Sequence, residues 1–278
     1  MKYMGVLVMH QSNYGQYEVP AKLLDLITLT GQLKEQGLLL YGDLLGIYFS
    51  LEPVEMRYLN TPVDVIPFGR TGADGIHFGF LTDFGQVETL DDAYIVRVEP
   101  MNFDDPVKIV ARNLTDFISI MCQYVFALEL LDVSSNVMAI TKYLDSTNFV
   151  SEQNEMLAIC REKLKPVCIE SLVDYYVQLR KSRAASVVVQ TDDGIGVIKT
   201  GQNEIEQQEM FTLKRNMQPD VTAVQHYFKK VPLEYKLAFV RDAQSYGILY
   251  EELLLKKWIA EELHRLGFHD EGVRLQFS

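Results

Sequence analysis

The stretch Thr61–Val87, TPVDVIPFGRTGADGIHFGFLTDFGQV, constrains the fold more than any other part of the chain. It holds five of the 17 glycines, and between them the residues alternate. Val63 and Val65 take one side, and Asp64 and Ile66 the other. Beyond the glycines, Ile76, Phe78 and Phe80 share one side, and His77, Gly79 and Leu81 the opposite one. A period of two belongs to β-strands, whose successive side chains leave on opposite faces. Gly69, Gly72 and Gly75 supply the positive φ angles of a tight reversal. The pattern predicts a β-hairpin pairing Val63–Phe68 with Ile76–Leu81, with one face on a core and the other offered to a partner.

The flanking sequence extends this to an α+β fold. Met4–Met9 reads as a short strand, and Pro20 opens a helix carrying Leu23, Leu24 and Ile27. Residues 38–50 are apolar but broken by Gly42 and Gly46, a mixed or strand-like segment. Tyr94–Glu99 and Val107–Ala111 read as further strands. Asn113 caps a helix running to about Leu131, with Phe117 and Met121 on its apolar stripe. A mostly antiparallel sheet flanked by helices follows, spanning residues 1–135. The polar run Asp132–Asn136 marks a boundary to a helix-rich second domain, 136–278, with a small hairpin near 186–199 around Asp192-Asp193-Gly194. Helices are predicted over 151–164, 170–183, 203–215, 219–230, 232–246 and 248–266.

Charge is unevenly spread over the 278 residues. The net charge is −12; residues 1–135 carry 8 Lys or Arg against 18 Asp or Glu, net −10, and the remainder is close to neutral. An acidic first half argues against nucleic acid as partner and suits a basic protein drawn in by electrostatic steering. No stretch reaches the length of a membrane span, and the N-terminus lacks the pattern of a secretory leader. Three cysteines without CxxC spacing suit reduced thiols, so a cytoplasmic location is expected.

Signals for chemistry are sparse. The G-x-x-G-x-x-G spacing of the hairpin turn precedes a strand, lacks Lys-Ser/Thr, and carries Asp74, so it is a poor phosphate loop. Asp74, His77 and Asp83 are the residues from which a metal-dependent hydrolase would be built, His77 and Asp83 sharing a face by strand parity. The plainer reading has His77 bonded to a backbone or carboxylate group, with the aspartates satisfying turn amides. His264 and His269, five apart across Gly267, lack zinc-site spacing and read as coincidence. Asp91-Asp92 and Asp104-Asp105 read as solvated turns without calcium-loop spacing.

Three segments together resemble one family. PFGRTGADGIHFGFLTDFG, then Ile95-Val96-Arg97-Val98, then Asn113-Leu114-Thr115-Asp116-Phe117 are similar to the SUKH superfamily, over roughly residues 18–132. That family contains bacterial immunity proteins against secreted toxins and fungal regulators of cell-wall synthesis. The resemblance, with the sparse signals for chemistry and the acidic first half, implies a non-enzymatic binding module without cofactor or metal, whose partner is a protein such as a basic toxin. From their predicted places in and beside the turns around the sheet, the contact residues would be Asp74, Asp83, Asp91, Asp92, Asp104 and Asp105, an acidic rim, together with His77. The helical second domain would add surface or mediate self-association.

Overall fold

The predicted hairpin forms, with its first strand running two residues later than expected, so that Gly69 lies in the strand and only Gly72 and Gly75 of the turn glycines take positive φ. In the computed structural model, which describes residues 13–51, 56–124, 128, 154–202 and 204–277, β2 (Val65–Arg70) pairs antiparallel with β3 (His77–Leu81), Ile66 opposite Phe80 and Arg70 opposite His77. The register shifts between Pro67 and Gly69, so Phe68 is the extra residue of a bulge. That irregularity tolerates Pro67, which has no N–H for the ladder. With β1 (Tyr48–Phe49), β4 (Tyr94–Val98) and β5 (Val107–Ala111) the strands make one antiparallel meander, ordered β1-β2-β3-β4-β5.

Helices close the first face of this sheet. Ile66, Phe68, Phe78, Phe80 and Ile95 meet Leu23, Leu26 and Leu29 of α1 (Ala21–Glu35) and Phe117 and Met121 of α2 (Leu114–Gln123). Phe117 is fully buried, its ring edge-on to Phe68 and Phe78 at 5.4 and 5.2 Å. The Asn113 side chain accepts from the Asp116 N–H at 2.9 Å, the expected N-cap. The same core takes in Leu157 and Cys160 of α3 (Asn154–Leu164) and Leu172, Tyr176 and Leu179 of α4 (Leu172–Ser186).

The second face is not left open. Every residue of β3 is buried, and Val65, Leu81, Val96, Val98 and Val107 pack with Ile195, which returns between β6 (Val187–Val189) and β7 (Val197–Ile198). The expectation of a hairpin offering one face to a partner is therefore corrected. A later part of the chain occupies that face. A further core joins Val63 and Phe84 to α5 (Val221–Lys230), α6 (Leu233–Ser245) and α8 (Leu253–Arg265).

Other differences have local causes. On α1 the buried stripe is Leu23, Leu26, Leu29 and Leu33, and Leu24 is 43% exposed. The helix from Asn113 is described to Gln123, and most of the remaining expected span to Leu131 lies outside the described residues. Residues 204–215, expected helical, have no regular structure; their Gln/Glu-rich first part has no apolar stripe to bury. The last expected helix breaks at Glu252 into α7 (Ile248–Glu251) and α8, and α9 (His269–Phe277) follows, unforeseen. The predicted strand Met4–Met9 and the boundary Asp132–Asn136 lie outside the described residues. Among the described residues no helix is long and apolar enough to cross a membrane.

Candidate functional site

A meander sorts its connections to two ends, and the acidic candidates are divided accordingly. Asp74, in the β2–β3 turn, and Asp104 and Asp105, in the β4–β5 loop, lie at one end, called here the turn end. Asp83, Asp91 and Asp92 lie in the β3–β4 connection at the opposite end. The two groups are separated by the length of a strand, so the candidates do not form one rim. Asp74, Asp91, Asp92 and Asp104 are exposed. Asp92 accepts from the Thr89 hydroxyl at 3.0 Å, and Asp105 lies 3.7 Å from the Lys108 ammonium.

His77 and Asp83 leave the surface altogether. His77 is fully buried and stacked against Tyr58 at 5.7 Å. Its Nδ1 lies 2.8 Å from the Gly75 carbonyl, which can only accept, so Nδ1 carries the hydrogen and Nε2 accepts from the Thr61 hydroxyl at 3.0 Å. Burial lowers its pKa to about 4, Gly75 opposing and Arg57 assisting, so the ring is neutral at pH 7. The strand ends at Leu81 and Asp83 lies beyond it in a turn at φ +49°, so strand parity does not extend to Asp83. The strand between them spans roughly 13 Å at ~3.3 Å per residue, too far to share an ion. Among the described residues no three His, Cys, Asp or Glu side chains are grouped to hold a metal. The hydrolase constellation of Asp74, His77 and Asp83 is therefore not assembled, and neither His77 nor Asp83 can belong to an exposed rim.

Asp83 instead belongs to a buried charge cluster that the sequence did not disclose. Arg183 grips both its oxygens at 2.8 Å and donates to the carbonyls of Ile195 and Gly196. Arg241, on α6 and fully buried, bonds Asp64 at 2.5 Å and lies 3.8 Å from Asp83 and 3.6 Å from Asp193. It also sits over the Phe84 ring at 5.3 Å. Burial works against the Arg241 cation, but Asp64, Asp193 and Asp83 outweigh it and hold its pKa above the ordinary value. Neighbouring polar groups tie the same region to backbone. Gln244 pairs with the Val63 N–H and the Thr61 carbonyl, and Arg274 donates to the carbonyls of Val63 and Asn13. This cluster joins residues up to 177 positions apart. Each carboxylate faces an arginine within the buried interior, an arrangement suited to structural work.

The turn end is different. Tyr58, Leu59, Met101 and Phe103 are 42, 44, 68 and 57% exposed. Asn60 donates to the Pro100 carbonyl at 3.2 Å, drawing the 58–61 and 99–106 loops together, and Tyr58 packs beneath Gly75 of the third loop. Arg215 reaches over from the C-terminal half, 5.1 Å above the Phe103 ring, and donates to the Phe103 carbonyl. The result is a set of exposed apolar side chains flanked by Asp74 and Asp104. A groove of about 390 Å³ also opens between β5 and α4, walled by Val107, Ile109, Leu179 and Ile195. Its charged neighbours Lys108 and Arg183 are already engaged by Glu99 and Asp83. No protein-family model matches the chain, and no curated protein matches it.

Proposed function

We propose that this chain is a non-enzymatic protein-binding module whose partner, a basic protein, docks on the turn end of the sheet. The observation carrying the reading is the exposed set Tyr58, Leu59, Met101 and Phe103 beside Asp74 and Asp104. Surface aromatics and methionine desolvate well at the centre of an interface, while charges at its edge steer the encounter. The acidic balance of the first half and the SUKH-like segments support the same reading. Within that resemblance the partner would be a toxin, in an immunity role, or a member of a regulatory complex.

The test begins with capture of the partner from the source organism's lysate, followed by binding kinetics with the purified partner. Phe103→Ala should raise the dissociation rate about tenfold, the cost of truncating a central aromatic. Asp74→Asn with Asp104→Asn should slow association, and the effect should fade as salt rises. Asp91→Asn with Asp92→Asn, at the opposite end, should leave both rates unchanged. Equal binding by the Phe103 and Asp74/Asp104 variants, or a partner that is itself acidic, would remove the turn end as the docking surface.

A further inference from the structure

The two histidines near the C-terminus are brought together by the unforeseen helix α9. His264 lies in the last turn of α8 and His269 opens α9. Between them the chain reverses sharply: Gly267, at φ +95°, donates to the His264 carbonyl at 3.1 Å, and the Phe268 N–H to the Leu263 carbonyl at 2.9 Å. The His264 ring is then set against the α9 backbone. A Cβ at Gly272 would lie 2.9 Å from its Nε2 and 3.0 Å from its Cε1, so a glycine is needed there for the ring to lie as it does. With that edge of the ring against the helix, Nδ1 faces its counterpart, and the two Nδ1 atoms are 3.3 Å apart.

That separation has a specific meaning. Imidazole nitrogens bind zinc at ~2.0–2.1 Å, and two of them at a tetrahedral angle are then about 3.3–3.4 Å apart. With no ion bound, one ring's N–H can donate to the other across the same distance, and an ion would take the place of that hydrogen. We infer that His264 and His269 form a two-nitrogen chelate for a borderline divalent ion such as Zn²⁺, Ni²⁺ or Cu²⁺. Both rings are at least partly open to solvent. The remaining positions around the ion are therefore open to water or to donors from another molecule. Nearby carboxylates are committed elsewhere: Asp270 accepts from the Gln16 N–H at 2.9 Å, and Glu271 from Arg274 at 2.7 Å. Imidazole donors favour these ions over Mg²⁺ or Ca²⁺, which take oxygen ligands.

Titration calorimetry of the full chain with ZnCl₂ and with NiCl₂, in a non-chelating buffer, reads the site directly. One saturable equivalent is expected per chain, or one per two chains if a second copy completes the coordination. MgCl₂ should give none. His264→Ala and His269→Ala should each weaken binding at least about tenfold, the low end of what losing even an outer-shell partner costs. His226→Ala should not. Because a variant could perturb the α8–α9 turn, the unaltered protein is also followed by NMR. The His264 and His269 imidazole signals should shift together at one equivalent and broaden with Ni²⁺. Absence of saturable binding, binding that survives either substitution, or imidazole signals that do not move would each overturn the inference.

Discussion

Arg241→Met is the sharpest probe of what holds the two ends of this chain together. The arginine is fully buried and faces Asp64, Asp83 and Asp193 while Phe84 covers its guanidinium. Methionine keeps much of the volume but removes the cation. Arg183 still answers Asp83, whereas Asp64, and Asp193 at the longer distance, lose the arginine that faces them. Breaking a buried pair on one side costs about 3–5 kcal/mol, and that loss should appear in a urea titration followed by tryptophan fluorescence and far-UV circular dichroism. Burial already raises the Asp64 pKa with Arg241 opposing it, and without Arg241 the folded-state value would stand further above the unfolded one. Such a group favours the folded state at low pH and loses that advantage as pH rises, so the deficit should grow from pH 5 to pH 8. Adding Asp64→Asn removes the stranded charge and should recover about half the loss or more, since neutralising both partners of a buried pair is often nearly neutral. High salt should change little, because buried pairs are poorly screened. A single-variant loss under about 1 kcal/mol, or a double variant no better than the single, would refute this account of the cluster.

Phe117→Ala should cost about 3–5 kcal/mol in chemical denaturation, because it empties a site wedged between Phe68 and Phe78; a loss below about 1 kcal/mol would place this helix face wrongly. Asp242 is pushed up to about 8, chiefly by burial and further by Asp192 and Asp193, against the Asp192 N–H and Arg241. Its folded pKa exceeds the unfolded value of 3.8, so the folded state holds a proton that the unfolded chain releases, and stability should fall between about pH 4 and pH 8. Asp242→Asn keeps an oxygen for the Asp192 N–H and should flatten that decline; parallel stability–pH curves for variant and parent would contradict it. Exchange of the Tyr58 and Phe103 loop amides should slow on partner binding while the Asp91–Asp92 amides stay unchanged, and the reverse pattern would move the interface to the other end.

The parts of the fold that sequence reading located are those whose signal is local. Alternation fixed β2, β3 and their pairing; Asn113 announced α2; the stripe containing Phe117 and Met121 is the buried one. The charge cluster was illegible for the opposite reason. Asp64 and Arg241 are 177 positions apart, and Asp83 and Arg183 are 100 apart, so no window contains a pair. One signal was available. Arg241 and Asp242 sit inside Leu237-Ala238-Phe239-Val240, then Ala243, a run with too few polar positions to face water. A helix that buried must pair its charges, so the run implied partners elsewhere. Parity put His77 and Asp83 on one face but was carried past the end of β3 at Leu81 and took no account of the strand length between them, and pairing His264 with His269 needed a helix that begins only at His269 itself.

The location of the proposed docking surface follows from what the C-terminal half covers. Ile195 lies on the second face of the sheet; Arg183 and Arg241 neutralise the carboxylates at the β3–β4 end; Gln244 and Arg274 satisfy backbone groups of Thr61 and Val63. Without those donors Asp64 and Asp83 would face an apolar interior uncompensated, a cost of several kcal/mol per ion. The helices α1 and α2 occupy the first face. Both faces and one end are thus taken by the chain's own residues. At the turn end the C-terminal half contributes Arg215, and its guanidinium over Phe103 leaves that ring 57% exposed. An arginine held beside an exposed aromatic positions it without burying it. A partner docking at that end, as proposed, would cover an exposed aromatic, the kind of side chain enriched at interfaces.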